Sequence, residues 1–264
     1  MKIGFIGCGN MGGALARAVL KNKQTKVYVS DYFTEKAEAF AKETGAIASS
    51  NEAIAEECDF IFLAVKPASF PATLEPLCEA FKKNRDSVIV TIAAGLSLEK
   101  VGAMVGESHP IIRIMPNTPV LLGKGMITWC KNELVSDGMC EKFKDVLAYA
   151  GRLDEIDEKL IDAASAVAGC GPAFVYMFIE ALSDGAVECG LPRDKAMTYA
   201  AETLSGAAEM VLKTGKHPGL LKDEVCSPGG STIEGVKALE DGKFRADTAS
   251  AVIAAYEKTK KLGK

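Results

Sequence analysis

The sequence predicts a two-part molecule: an α/β domain over residues 1–158, with helices on both faces of a parallel sheet, and an all-helical domain over 159–264. Three observations predict it. Short apolar runs alternate with helix-period segments through the first half, the pattern of βαβ units. The run Gly7-Cys8-Gly9-Asn10-Met11-Gly12 joins the first apolar stretch to the first helical one. Beyond Asp157 strand signals almost cease, and apolar and small residues recur at helical spacing.

The apolar runs at 3–6, 26–29, 60–65, 88–92 and 111–115 read as strands. Between them, 11–20, 35–44 and 71–83 read as helices. A last hairpin-like or edge strand is expected at 125–130, then an amphipathic helix near 137–149. In the second half, helices are expected at 163–168, 174–187, 195–212 and 249–262. Pro172 suits a first helical turn, and Gly190-Leu191-Pro192 marks a stop and a restart. Small residues crowd these helices (Ala181, Ser183, Gly185 and Ala186, then Ala200, Ala201, Ser205, Gly206, Ala207 and Ala208). Apolar character on more than one helix face is hard to bury in about 100 residues, so a homodimer built through this half is expected, with a self-contained bundle as the alternative.

Composition narrows the class. Charged residues make up 25% and apolar ones 48%, with a net charge of −4, an ordinary soluble balance that argues against nucleic-acid binding. The one dense basic run, Lys258, Lys260, Lys261 and Lys264, reads as a solvated helix end. Eight cysteines without a CxxC pair, and only two histidines, exclude an evident zinc site and predict reduced thiols packed as small hydrophobes. His109 and His217 read as surface or structural residues. A strand-like stretch right after Met1 leaves no room for a signal peptide, and no apolar run reaches membrane-spanning length. The expectation is a cytoplasmic protein with no membrane and no metal.

Gly7, Gly9 and Gly12 have the spacing of a dinucleotide turn, in which the glycines make the bend, admit a pyrophosphate and let helix and strand pack. With Asn10 and Met11 they are the cofactor-binding candidates of an α/β Rossmann-type N-terminal domain. Asp31, at the end of the second strand, stands where an acid binds the ribose hydroxyls of NAD. Ser30 beside it, with Lys36 a helical turn onward, suits a 2′-phosphate instead. Ala64-Val65-Lys66-Pro67, Ala93-Ala94-Gly95 and Met115-Pro116-Asn117-Thr118-Pro119 end three further strands, on the edge where such sheets hold ligands. The two prolines of the last are expected to present Asn117 and Thr118.

In the helical half, Ser227-Pro228-Gly229-Gly230-Ser231-Thr232 runs into a helix beginning at Ser231 or Thr232. Two readings compete. Ser231 and Glu234 have the spacing of a capping box. Alternatively, the free amides of a helix start, approached past bare glycines, cradle a small carboxylate.

Taken in order and spacing, segments 7–12, Asn51, 64–67, 93–97, 115–119, 169–173 and above all 227–232 resemble the Δ1-pyrroline-5-carboxylate reductases, over nearly the whole chain. The resemblance implies an α/β Rossmann-type N-terminal domain binding NADPH or NADH, followed by an all-helical C-terminal dimerisation domain. It implies an active site at the dimer interface and, often, a ring of five dimers. By position it makes Asn51 an adenosine-side contact and Ala64, Val65, Lys66 and Pro67 part of the nicotinamide pocket. Ala93, Ala94, Gly95 and Asn117 become further cofactor contacts. Gly229, Gly230 and Ser231 become the substrate carboxylate cradle, and Thr232 the catalytic hydroxyl beside the ring nitrogen. Many members favour NADPH and lack an acid like Asp31, so cofactor preference stays open. The implied chemistry, hydride addition to a protonated cyclic imine, needs positioning rather than a strong acid. Two other readings remain: a β-hydroxyacid dehydrogenase, whose catalytic lysine neither Lys195 nor Lys213 matches by motif, and a non-enzymatic nucleotide sensor, which would need no cradle.

Overall fold

The computed structural model describes residues 1–106 and 108–262; Lys264 of the basic run lies outside the described residues. The chain divides into two compact units, Met1–Cys170 with the last helix from Ala255 onward, and Gly171–Ala254.

The first unit follows the alternation read from the sequence. Its elements are β1 (Lys2–Ile6), α1 (Asn10–Leu20), β2 (Lys26–Ser30), α2 (Thr34–Thr44), β3 (Ile47–Ala48), α3 (Asn51–Glu57), β4 (Phe60–Leu63), α4 (Phe70–Leu74) and α5 (Cys78–Lys83). There follow β5 (Val88–Thr91), α6 (Leu98–Val105), β6 (Ile111–Met115), β7 (Gly125–Lys131), α7 (Asp137–Val146), β8 (Gly151–Glu155) and α8 (Glu158–Ala168). The strands form one sheet in the order β3-β2-β1-β4-β5-β6-β7-β8. All neighbours are parallel except β6 with β7.

The period-2 alternation of the strands sorts their side chains into two cores, one on each face. Ile3, Phe5, Phe60, Phe62, Val88 and Val90 face α1, α2 and α7, where Leu15, Phe40 and Phe143 meet them. Ile6, Ile61, Leu63 and Ile89 face α3 to α6. With β4, β5 and β6 buried along their whole lengths, the central strands are apolar on both faces, as a covered parallel sheet demands.

Three expectations change. The helix expected at 71–83 is broken into α4 and α5 by a 3-10 turn at Glu75–Leu77, because Pro76 has no amide to donate and its ring crowds the preceding turn. The strand at 125–130 is hairpin-like, antiparallel to β6, and not an edge: β8 pairs with β7 in parallel and takes the edge instead. Its sequence, Gly151-Arg152-Leu153-Asp154-Glu155, is mostly exposed and polar, so it carries no apolar run to announce it. Finally, Glu158–Glu188 is long and apolar enough to cross a membrane by length and composition. Scattered acids such as Asp162, Glu180 and Asp184 hid it as a run, and it is two helices with Gly169 and Cys170 between them.

The second unit contains α9 (Gly171–Glu188), α10 (Arg193–Thr214), α11 (Pro218–Glu224), α12 (Ser231–Asp241) and the start of α13 (Phe244–Leu262). Gly190 at φ +94° ends the α9 turn and Pro192 caps α10, the stop and restart read from the sequence. Along α9 and α10 only Ser183, Ala196 and Ala200 are buried. Tyr176, Met177, Tyr199, Met210 and Leu212 are at least half exposed.

Candidate nucleotide and substrate sites

At the C-terminal edge of the sheet the chain leaves β1 through Gly7, whose amide donates to the Ser30 carbonyl at 2.9 Å. A Cβ on Gly7 would lie 2.8 Å from the Ala64 backbone, and one on Gly12 would lie 2.2 Å from the Gly7 carbonyl oxygen. Both positions therefore need glycine for close backbone approach. Gly9 caps α1 without a side-chain hydrogen bond, and a Cβ there would meet nothing within 4 Å. The α1 amides of Asn10, Met11 and Gly12 lie at the positive end of an 11-residue helix with no side chain capping them. That is an anion cradle suited to a pyrophosphate.

Beside it, a cavity of about 350 Å³ is lined by Ser30, Asp31, Thr34, Asn51 and Glu52, among others. The structure thus brings together the three residues read as adenosine-side candidates, Ser30, Asp31 and Asn51. Asp31 is tied into the turn: Oδ2 accepts from the Cys8 amide at 3.0 Å and from Cys8 Sγ at 3.4 Å, and Oδ1 accepts from the Phe33 amide at 3.3 Å. Burial, reinforced by the Asp31 charge, pushes the Cys8 thiol up to about 11, so it stays a neutral donor. Ser30 is buried and its hydroxyl donates to the Phe5 carbonyl. Lys36 lies away from this cavity, in the groove lined by Cys8, Gly9 and Arg17.

Ala64, Val65, Lys66 and Pro67 leave β4, and Ala93, Ala94 and Gly95 leave β5, at the same sheet edge as the glycine turn. Ala64 donates its amide to the Ile6 carbonyl at 2.8 Å, which holds the two loops together. Asn117 behaves differently from the expectation. Its side chain is 7% exposed. Oδ1 accepts from the Met126 amide and Nδ2 donates to the Ala168 carbonyl, both at 2.9 Å. A buried amide must be satisfied internally, so Asn117 ties β7 to the C-terminal end of α8 rather than presenting itself. Thr118 is exposed and opens a 3-10 turn.

Arg113 on β6 belongs to no sequence motif. It is 3% exposed, and its guanidinium binds Glu158 at 3.3 Å and Asp162 at 2.6 Å. Glu158 also accepts from the Leu98 amide at 2.7 Å. One buried cation thereby clamps α8 and the start of α6 to the sheet. The histidines are structural: His109 is buried with Nε2 against the Phe81 carbonyl, and His217 Nδ1 accepts from the Gly219 amide at the start of α11.

In the second unit, the 227–232 segment makes a tight turn in which the Gly230 amide donates to the Ser227 carbonyl at 3.0 Å and Gly229 sits at φ +65°. The N-cap of α12 is Gly230, with no side-chain cap. Ser231 is thus the first helical residue, one position too late for a capping box, which needs its serine at the cap itself. Glu234 is exposed and makes no hydrogen bond or ion pair among the described residues. The amides opening α12 are therefore uncapped, and the Ser231 and Thr232 side chains are exposed beside them.

Comparisons with known proteins cover both halves. Residues 158–262 match the family model for pyrroline-5-carboxylate reductase dimerisation, and residues 2–95 that for NADP oxidoreductase, coenzyme F420-dependent. The pyrroline-5-carboxylate reductase of Escherichia coli K12 is 41% identical, covering 100% of this chain and 98% of the relative. That of Arabidopsis thaliana is 37% identical, covering 99% and 95%. Among solved structures, the Plasmodium falciparum pyrroline carboxylate reductase with NADP bound matches at TM-score 0.91 and 36% identity, over 100% of this chain and 98% of its own. The likeness runs end to end in both chains, through the glycine turn and the 227–232 segment alike, and on that ground this chain belongs to the pyrroline-5-carboxylate reductase family.

Proposed function

We propose that the chain reduces Δ1-pyrroline-5-carboxylate to L-proline with NADPH or NADH, the last step of proline biosynthesis. The observation that carries this reading is the uncapped start of α12: a glycine cap, opening amides with no side-chain cap, and an exposed Thr232 hydroxyl. Gly229 and Ser231 hold the substrate carboxylate on backbone N–H groups, where the helix dipole favours negative charge; the Gly230 amide is taken by the Ser227 carbonyl and Gly230 serves as the helix cap. Thr232 hydrogen-bonds the ring nitrogen and orients the imine. Its hydroxyl acts by position, because it is too weak an acid to donate unaided near neutrality. The proton on nitrogen comes from water.

The residues of the first unit fit a nicotinamide dinucleotide. Gly7, Gly9, Asn10, Met11 and Gly12 hold the pyrophosphate. Ser30, Asp31 and Asn51 line the adenosine end. Ala64, Val65, Lys66 and Pro67, with Ala93, Ala94 and Gly95, bound the nicotinamide end. Asn117 supports that edge from behind through its two hydrogen bonds. Bound there, the cofactor supplies a hydride to C5 of the imine.

In this reading residues 1–158 are the dinucleotide-binding domain and 159–264 the substrate-binding and dimerisation domain. The exposed apolar faces of α9 and α10 and the apolar stretch Glu158–Glu188 are covered by a second copy of the chain, not by a membrane. Five such dimers close into a ring. The protein is cytoplasmic and binds no nucleic acid.

The test is oxidation of the reduced dinucleotide on adding pyrroline-5-carboxylate, with a β-hydroxyacid as control substrate. Turnover of the β-hydroxyacid alone would replace this reading with the dehydrogenase one. Thr232→Ala is expected to lower kcat by about 10² with cofactor affinity unchanged, and wild-type turnover in that variant would remove the hydroxyl from the mechanism.

A further inference from the structure

The cavity at the end of β2 is acidic. Its walls carry three carboxylates, Asp31, Glu38 and Glu52, together with Thr34 and Asn51, and no lysine, arginine or histidine. Neither Glu38 nor Glu52 is neutralised by an ion pair among the described residues. Of the cations near the glycine turn, Arg17 pairs with Glu43 at 2.8 Å, and Lys36 lines the neighbouring groove rather than this cavity.

Asp31 itself is half-buried and fixed at both oxygens. Its carboxylate accepts from the amides of Cys8 and Phe33. Each carboxylate oxygen has two acceptor sites. Oδ1 receives one donor and so keeps a site for a ribose hydroxyl. A 2′-phosphate would instead bring its own negative charge beside Asp31. Ser30 offers no compensation, because its hydroxyl is buried and donates to the Phe5 carbonyl.

We propose that Asp31 makes this chain select NADH over NADPH, by accepting from the ribose hydroxyls of the first and repelling the 2′-phosphate of the second. The inference rests on reading this cavity as the adenosine end of the cofactor site, and it names which dinucleotide that site takes.

The experiment is a direct titration of the full-length protein with NADH and with NADPH, followed by nicotinamide fluorescence without substrate. Rates on pyrroline-5-carboxylate are measured separately. Like-charge contact of this kind predicts that NADPH binds at least about tenfold more weakly than NADH. Asp31→Asn, which keeps the shape and one acceptor oxygen, is expected to narrow the ratio to about twofold, mainly by tightening NADPH. Equal affinities in the wild-type protein, or tighter NADPH, overturn the proposal whether or not the variant folds. An unchanged ratio in a folded Asp31→Asn overturns the role of Asp31. Binding of neither dinucleotide overturns the cofactor site and this proposal with it. Tight, selective NADH binding without turnover of the imine supports the selection and overturns only the catalytic reading.

Discussion

At the scale of single residues, what a side chain does here depends on partners far away in sequence. Asn117 was legible as a member of a two-proline turn, yet its two hydrogen bonds go to Met126 and Ala168, so the turn buries what it was expected to offer. Ser231 and Glu234 have capping-box spacing, but Gly230 takes the cap and shifts the serine into the helix. That one-residue difference is what leaves the α12 amides open. Arg113 had no local signal because its partners, Glu158 and Asp162, lie 45 and 49 residues away. Arg113→Leu is expected to cost about 3 kcal/mol of stability, since it strands two carboxylates beside the sheet. Adding Glu158→Gln and Asp162→Asn is expected to restore part of the loss, a coupling that a mutant cycle in denaturant measures. A purely additive cycle would show that the clamp contributes nothing.

At the scale of elements, those with a strong period were legible and those defined by their neighbours were not. β1, β4, β5 and β6 are buried on both faces and therefore read as apolar runs. The glycine turn was legible because its demand is local. Gly12 must let α1 approach Gly7, with 2.2 Å between a notional Cβ and the Gly7 oxygen. Gly12→Ala is thus expected to displace the α1 amides and weaken dinucleotide binding by about tenfold or more. A titration showing unchanged affinity would detach those amides from the cofactor. By contrast β8, polar and at the sheet edge, exists through its pairing with β7 rather than through any pattern of its own. The break between α4 and α5 lay in plain view at Pro76, where a proline overrides an otherwise helical periodicity.

At the scale of the whole molecule, the helical half does not bury itself. α9 and α10 total 40 residues, 18 and 22, and only Ser183, Ala196 and Ala200 among them are buried. Met177 and Leu212 are 69% and 72% exposed. Faces of that kind mark association. Sedimentation of the purified protein is expected to give a dimer or a multiple of it rather than the 27.9 kDa chain, and its melting temperature is expected to rise with protein concentration. A monomer with a concentration-independent melt would return the helical half to a self-contained bundle.

By itself the sequence determined the two grammars, the glycine turn, the acid at the end of β2 and the uncommon 227–232 run. Each of these is written in neighbouring residues, through periodicity, steric demand or spacing along one element. Only the tertiary structure decided that Asp31 accepts from the Cys8 amide, that Asn117 faces inward, that Arg113 holds α8 to the sheet and that the α12 start is uncapped. The first three are settled by hydrogen bonds between elements that meet only after the chain folds, and the fourth by which residue the turn at Gly229 leaves at the helix boundary.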